Sequence, residues 1–162
     1  MQSQFKDEPI GSFKKRVIRL LHAYFALSRG MTLGVRAACF DAKGRIFLVR
    51  HTYLPGWYLP GGGVERGETL LQALSKELRE EGNLVMEGTP RLLNLYLNTS
   101  ASNRDHVAFY RVEVRQTEPK RPDREIAESG FFPLDALPDG VTPATRRRLA
   151  ELAAGGPYAE IW

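Results

Sequence analysis

Apolar and polar residues alternate along the chain in a sequence of distinct patterns, and each pattern predicts an element. Phe13, Val17, Leu20, Leu21, Tyr24 and Leu27 recur at helical spacing, and the basic residues fall mostly between them. This predicts an amphipathic helix from about Phe13 to Ser28, ended by Arg29-Gly30. Thr32 to Phe40 and Arg45 to His51 are rich in branched and apolar residues, with the turn Asp41-Ala42-Lys43-Gly44 between them, and read as a hairpin. Pro60-Gly61-Gly62-Gly63 reads as a loop. Thr69 to Glu81 is the clearest helix: Thr69 and Gln72 stand at capping-box spacing, and Gly82-Asn83 tolerate the left-handed conformation that ends helices. Leu92 to Leu97, His106 to Val114 and Glu125 to Pro133 read as strands, and Pro143 to Ala153 as a last helix. Gln116 to Asp123 reads as a charged loop.

Strands mixed with helices over the region from Met31 onward predict an α/β sandwich. The expected organisation is a polar tail and N-terminal helix over residues 1–30, a folded α/β domain over residues 31–154 and a C-terminal tail over residues 155–162. The N-terminal helix has three readings: packed on the domain, a contact in a homodimer, or a helix lying on a membrane surface.

The length of 162 residues suits one domain with its own core. No stretch of eighteen apolar residues occurs, which excludes a spanning helix. A single cysteine, Cys39, sits in an apolar run and reads as a core residue; the absence of an internal disulfide suits a reducing compartment, so the expected location is cytoplasmic. The net charge is +4 and the pI about 9.4. Much of the excess lies in Lys14, Lys15, Arg16 and Arg19 and in Arg146, Arg147 and Arg148, which read as solvated helix faces. Nucleic-acid binding through these clusters lacks interleaved aromatics or a recognised motif.

The chemistry concentrates between Gly61 and Leu84. On a helical wheel of about 100° per residue, Leu70, Leu74 and Leu78 mark the buried side, and Glu77 and Glu81 fall within roughly 20° of Leu70. Glu80 lies a little further round. Glu77, Glu80 and Glu81 stand at i, i+3 and i+4, so like charges are neighbours. A hard divalent cation offsets that repulsion, and Mg²⁺ prefers carboxylates together with substrate phosphates. The alternative is a solvated face paired with Lys76, Arg79 and Arg66. The glycines before the helix allow close backbone approach to a ligand.

The segment resembles the Nudix box, G-x5-E-x7-R-E-U-x-E-E-x-G-U, with U a bulky aliphatic. Gly62, Glu68, Glu77, Leu78, Glu80, Glu81 and Leu84 match it. The flanks Trp57-Tyr58-Leu59-Pro60-Gly61-Gly62 and Phe131-Phe132-Pro133-Leu134-Asp135 are similar to the family as well. Lys76 replaces the box arginine and loses its planar fork; Asn83 replaces the last glycine. The resemblance implies a Nudix α-β-α sandwich with a mixed sheet and a hydrolase that cuts the pyrophosphate bond of a nucleotide. It implies Mg²⁺, with Mn²⁺ as the alternative, held by Glu77, Glu80, Glu81 and the Gly61 carbonyl. Glu80 or a later carboxylate would handle the attacking water; Glu118, Asp123, Glu125 and Glu128 are the later candidates, and Glu125 is favoured by its distance from Phe131. Lys76 takes the positioning role of the family arginine. Arg50, Trp57, Gly61, Gly62 and Gly63 are the candidate substrate contacts. Tyr53, Tyr96 and Phe109 are further aromatics able to stack on a base or to pack the core. His51 reads either as a phosphate contact or as structural. The implied partner is a small nucleotide; an RNA end is within the family's range, as is a module that binds without turnover.

Overall fold

A computed structural model describes residues 12–162, with side chains from Arg16 onward. The expected tail over residues 1–12 lies, except for Ser12, outside the described residues. The chain divides into two compact units, Met1–Met31 and Thr32–Trp162. In the first, α1 spans Ser12–Ser28. Its apolar residues include Leu20, Tyr24 and Leu27, which are exposed. No described helix is long and apolar enough to cross a membrane.

The second unit is built on a five-stranded mixed sheet in the order β3-β4-β1-β2-β5. The strands are β1 Thr32–Phe40, β2 Ile46–His51, β3 Leu84–Leu97, β4 Asp105–Gln116 and β5 Ile126–Phe132. β1 and β4 run parallel, and the other neighbours are antiparallel. Side chains alternate across a strand, so consecutive residues feed different layers. Val35, Ala37, Cys39, Phe47 and Val49 face α2 (Leu70–Gly82) and pack on Ala73, Leu74 and Leu78. Ala38, Phe40, Ile46 and Leu48 face the other way, toward Leu149 of α3 (Pro143–Ala154). One helix on each face makes the α-β-α sandwich expected of the pattern.

β1 and β2 register directly only at Phe40 and Ile46. Beyond that pair the strands splay, and the segment from Tyr58 to Val64 lies between them. On one side the Val35 amide donates to the Gly62 carbonyl (2.8 Å), the Ala37 amide to Pro60 (3.0 Å), and the Val64 amide to Leu33 (2.8 Å). On the other, Val49 and Tyr58 exchange both backbone bonds, at 3.0 and 2.8 Å. The glycines expected in a loop therefore complete the sheet. Gly61 holds φ +139, and a Cβ there would run into the Val35 carbonyl, so only glycine fits.

The last residues are not a separate tail. The Leu97 amide donates to Glu160 (2.9 Å) and the Trp162 amide to Leu97 (3.0 Å). The Trp162 ring meets Tyr96 and Phe109 edge-on, with centroids 5.3 and 5.7 Å away. Arg148 is also corrected: it is 1% exposed, lies over the Tyr96 ring and bonds to Glu151 at 2.8 Å. Its two terminal nitrogens are bonded, to the Ile161 carbonyl and to Glu151, and its plane is stacked, which lets an arginine be buried in a way a charge count does not reveal.

Candidate active site

The site begins with the caps of α2. Thr69 accepts from the Gln72 amide while the Gln72 side chain accepts from the Thr69 amide, and Asn83 closes the helix at φ 52. These caps fix the helix register and so the direction of its glutamates. Glu81, in the last turn of α2, is 3% exposed, and its Oε2 accepts from the Gly61 amide at 2.8 Å. Glu77 lies against Gly62: a Cβ on that glycine would come within 2.5 Å of the Glu77 carboxylate carbon. Glu80 is more open and stands 3.6 Å from Arg79.

Opposite α2, the turn before β5 brings Glu125. A cavity of about 340 Å³ is lined by the carboxylates of Glu77, Glu80, Glu81, Asp123 and Glu125 and by the cations Arg79 and Lys120. His51, at the end of β2, adds an imidazole whose Nε2 is 3.7 Å from Glu81 Oε1. The candidate ligand atoms of His51, Glu81 and Glu125 all lie within 4.8 Å of one another.

Burial pushes the Glu81 carboxyl up to about 7; Arg36 and the Gly61 amide hold it down, and Glu77 and Glu125 add repulsion. Glu77 is raised by burial as well, with Lys76 opposing. Within ion-pair range among the described residues, Glu81 has His51 and no lysine or arginine. A buried carboxylate with no lysine or arginine partner, beside the partly desolvated Glu77 and with Glu80 lining the same cavity, is a donor set a divalent cation fits, and Glu77, Glu80 and Glu81 would hold one.

The structure places the other expected residues unevenly. Lys76 Nζ is 3.2 Å from Glu68 and 3.8 Å from Glu77, so it links the turn before α2 to the acidic face. Glu68 in turn accepts from the Glu65 amide at 2.9 Å. The Gly61 carbonyl accepts from the Arg36 guanidinium, which also reaches the Leu59 carbonyl at 3.1 Å. Trp57 is 6% exposed and edge-on to Phe132, the placement of a core residue. Tyr96 and Phe109 are also core residues, whereas Tyr53 is exposed. Arg50 is engaged with Glu128 at 2.6 Å and lies over Trp57, away from the acidic cavity. Glu118 and Glu128 do not line that cavity.

Arg36 is the residue that pattern reading missed. Its signal was a lone arginine inside a strand of otherwise apolar and small residues, Gly34 to Phe40. It also lines a second cavity of about 800 Å³, together with Leu33, Leu54, Tyr58, Asn98 and Trp162. Arg36, Gly62 and Gly63 thus line a larger, more apolar space, and Gly62 also packs against Glu77 of the acidic one.

A family model described as NUDIX domain matches residues 30–152. The chain belongs to the NUDIX family. An 8-oxo-dGDP phosphatase from Mus musculus is 32% identical over 154 residues, 91% of this chain and 44% of that protein. An ADP-ribose pyrophosphatase from Methanocaldococcus jannaschii is 37% identical over 82 residues, 49% of this chain and 47% of that protein. The chain spans less than half the length of these NUDIX relatives. Among solved structures, a MutT NUDIX hydrolase from Burkholderia pseudomallei aligns with TM-score 0.62 and 28% identity, over 74% of this chain and 95% of that one. An ADP-ribose pyrophosphatase from Streptococcus suis aligns with TM-score 0.60 and 28% identity, over 80% and 96%.

Proposed function

We propose that this NUDIX chain hydrolyses the pyrophosphate bond of a nucleoside diphosphate linked to a further group, using Mg²⁺, with Mn²⁺ as the alternative cation. The observation that carries the reading is the buried Glu81 carboxylate. It is bound to the glycine segment, flanked by Glu77 and Glu125, and lacks a lysine or arginine partner. A bound divalent cation would neutralise charge on the phosphate oxygens and on these carboxylates. Glu77, Glu80 and Glu81 would hold it.

The chain's own groups supply the rest. Glu125 or Glu80 orients a water and takes its proton as the water oxygen bonds to one phosphorus. The bridging P–O bond breaks, and the second phosphate departs with the electron pair. Lys76 holds Glu68 and steadies the turn that leads into α2. The cavity of about 800 Å³, which Arg36 lines, has room for a nucleoside. The relatives' names, covering an oxidised deoxynucleoside diphosphate and ADP-ribose, share a nucleoside diphosphate core and support that substrate class.

A binding module without turnover would rest on the replacement of arginine by Lys76. Lys76 reaches Glu68 all the same, which gives that reading no separate support.

The test is a screen of nucleoside diphosphate derivatives with Mg²⁺, reading release of phosphate or of a nucleoside monophosphate. The best substrate is then compared with the Glu81→Gln variant. A fall in turnover on the order of 10²–10⁴ is expected, because one charged contact to the transition state is lost. No turnover on any member of the class, or full turnover in Glu81→Gln, would overturn the reading.

A further inference from the structure

The His51 ring is buried yet unsatisfied. Its side chain is 4% exposed, Nδ1 has no hydrogen-bond partner, and Nε2 is 3.7 Å from Glu81, too far for a hydrogen bond. A buried ring nitrogen left unmade costs on the order of 1–3 kcal/mol, so a ring held this way needs a reason. The backbone aims it. Val49 faces α2, and alternation along β2 puts His51 on the same side; the extra residue at the Arg50/His51 register shift lies in β5, just after Glu125 and Ile126. Tyr53 and Tyr58 then flank the ring, at centroid distances of 5.2 and 5.6 Å.

Three different elements converge here: His51 from β2, Glu81 from α2 and Glu125 from the turn before β5. Their ligand atoms lie within 4.8 Å of one another. Donors around a cation at about 2.1 Å stand roughly 3–4.3 Å apart, so a small inward movement closes the set. We propose that His51 is a direct ligand, with Glu81 and Glu125, of a first-row transition cation such as Mn²⁺. The acidic cavity then offers a mixed nitrogen–oxygen set rather than carboxylates alone. This rests on reading the cavity as a cation site and deepens it by choosing the cation. Imidazole suits transition ions, whereas Mg²⁺ takes oxygen donors and keeps its waters.

The experiment uses the full chain and Mn²⁺ alone, without nucleotide. Electron spin-echo modulation of the bound Mn²⁺ should show coupling to a ¹⁴N nucleus of an imidazole. The coupling should vanish in His51→Gln, which keeps His22 and His106 as internal controls. No nitrogen coupling in the unaltered protein overturns the proposal, whether or not the variant folds; coupling that persists in His51→Gln overturns it as well. Calorimetry adds a second reading. His51→Gln should weaken Mn²⁺ by about tenfold or more and Mg²⁺ by less than about threefold. Equal losses for both ions would mark His51 as merely structural. Hydrolysis under Mg²⁺ is scored separately: nitrogen coupling without turnover would strike the catalytic reading and sustain this one.

Discussion

Glu81 and Gly61 are joined by a 2.8 Å hydrogen bond from the glycine amide to the carboxylate. The same glycine gives its carbonyl to Arg36. A buried anion on α2 and a guanidinium on β1 are therefore coupled through one short stretch of backbone. Neither charge pairs directly with the other, which leaves the carboxylate able to take a cation.

Stability of the metal-free protein should depend on pH through Glu81. The ordinary glutamate value is 4.5, and in the fold it rises to about 7. Between these values the folded chain keeps a proton that the unfolded chain has released. The contribution is thus fully present below about 4.5 and is lost as pH rises through 7, by on the order of 3 kcal/mol. Arg36, Gly61, Glu77, Glu125 and His51 face the group and set the size of the effect. The difference in denaturation free energy between the unaltered protein and Glu81→Gln, followed from pH 4 to 9 in chelator, isolates it. A flat difference would remove the assignment.

Gly61→Ala and Gly62→Ala should fail in different ways. At Gly61 the new methyl meets backbone of β1 at an unfavourable φ, so the sheet must open. A loss of several kcal/mol or no folded protein is expected. At Gly62 the methyl meets the Glu77 carboxylate, the far end of a side chain. That variant should fold with a modest loss, while cation affinity falls severalfold. Thermal melting with and without Mn²⁺ distinguishes the two.

Lys76→Met should cost little stability, because the Lys76–Glu68 pair is at the surface and screened by solvent. Turnover should drop, since the turn before α2 loses its tie. Lys76→Arg should match or exceed the unaltered rate by restoring a two-point fork to Glu68. Steady-state kinetics at saturating Mg²⁺ decides; a faster Lys76→Met enzyme would contradict the positioning role.

Arg36→Met keeps much of the side chain's bulk but removes its donors to the Leu59 and Gly61 carbonyls. Metal-free stability should fall by about 1–3 kcal/mol. The Glu81 carboxyl should titrate higher still, because the largest influence lowering it is gone. Carboxyl titration by NMR checks the direction; an unmoved Glu81 would mean that Arg36 acts only on the backbone.

What the sequence made legible follows from how local the cause is. α2 was readable to within a residue at each end because Thr69, Gln72 and Asn83 are local signals. β3 was not: it begins at Leu84, eight residues before the expected Leu92. Gly88 and Pro90 break the pattern there, and the register with β4 shifts between Glu87 and Arg91, which an edge strand tolerates. Clustering of the glutamates on α2 could be read from helical spacing. The approach of His51 and Arg36 could not, since it depends on which strands pair and on how the glycine segment lies between β1 and β2. Trp57 beside a glycine run looks the same in sequence whether it stacks on a ligand or fills a core; only packing separates the two.

The segment from Tyr58 to Val64 is the seam along which the sheet is stitched. β3, β4 and β1 form one panel, β2 and β5 another, and past Phe40–Ile46 the described backbone bonds joining the panels run through this strip. Whatever grips the glycines therefore also tightens the seam. Occupancy should be visible far from the cavity as slower amide exchange at Val35, Ala37 and Val49, whose protons lie in its stitches.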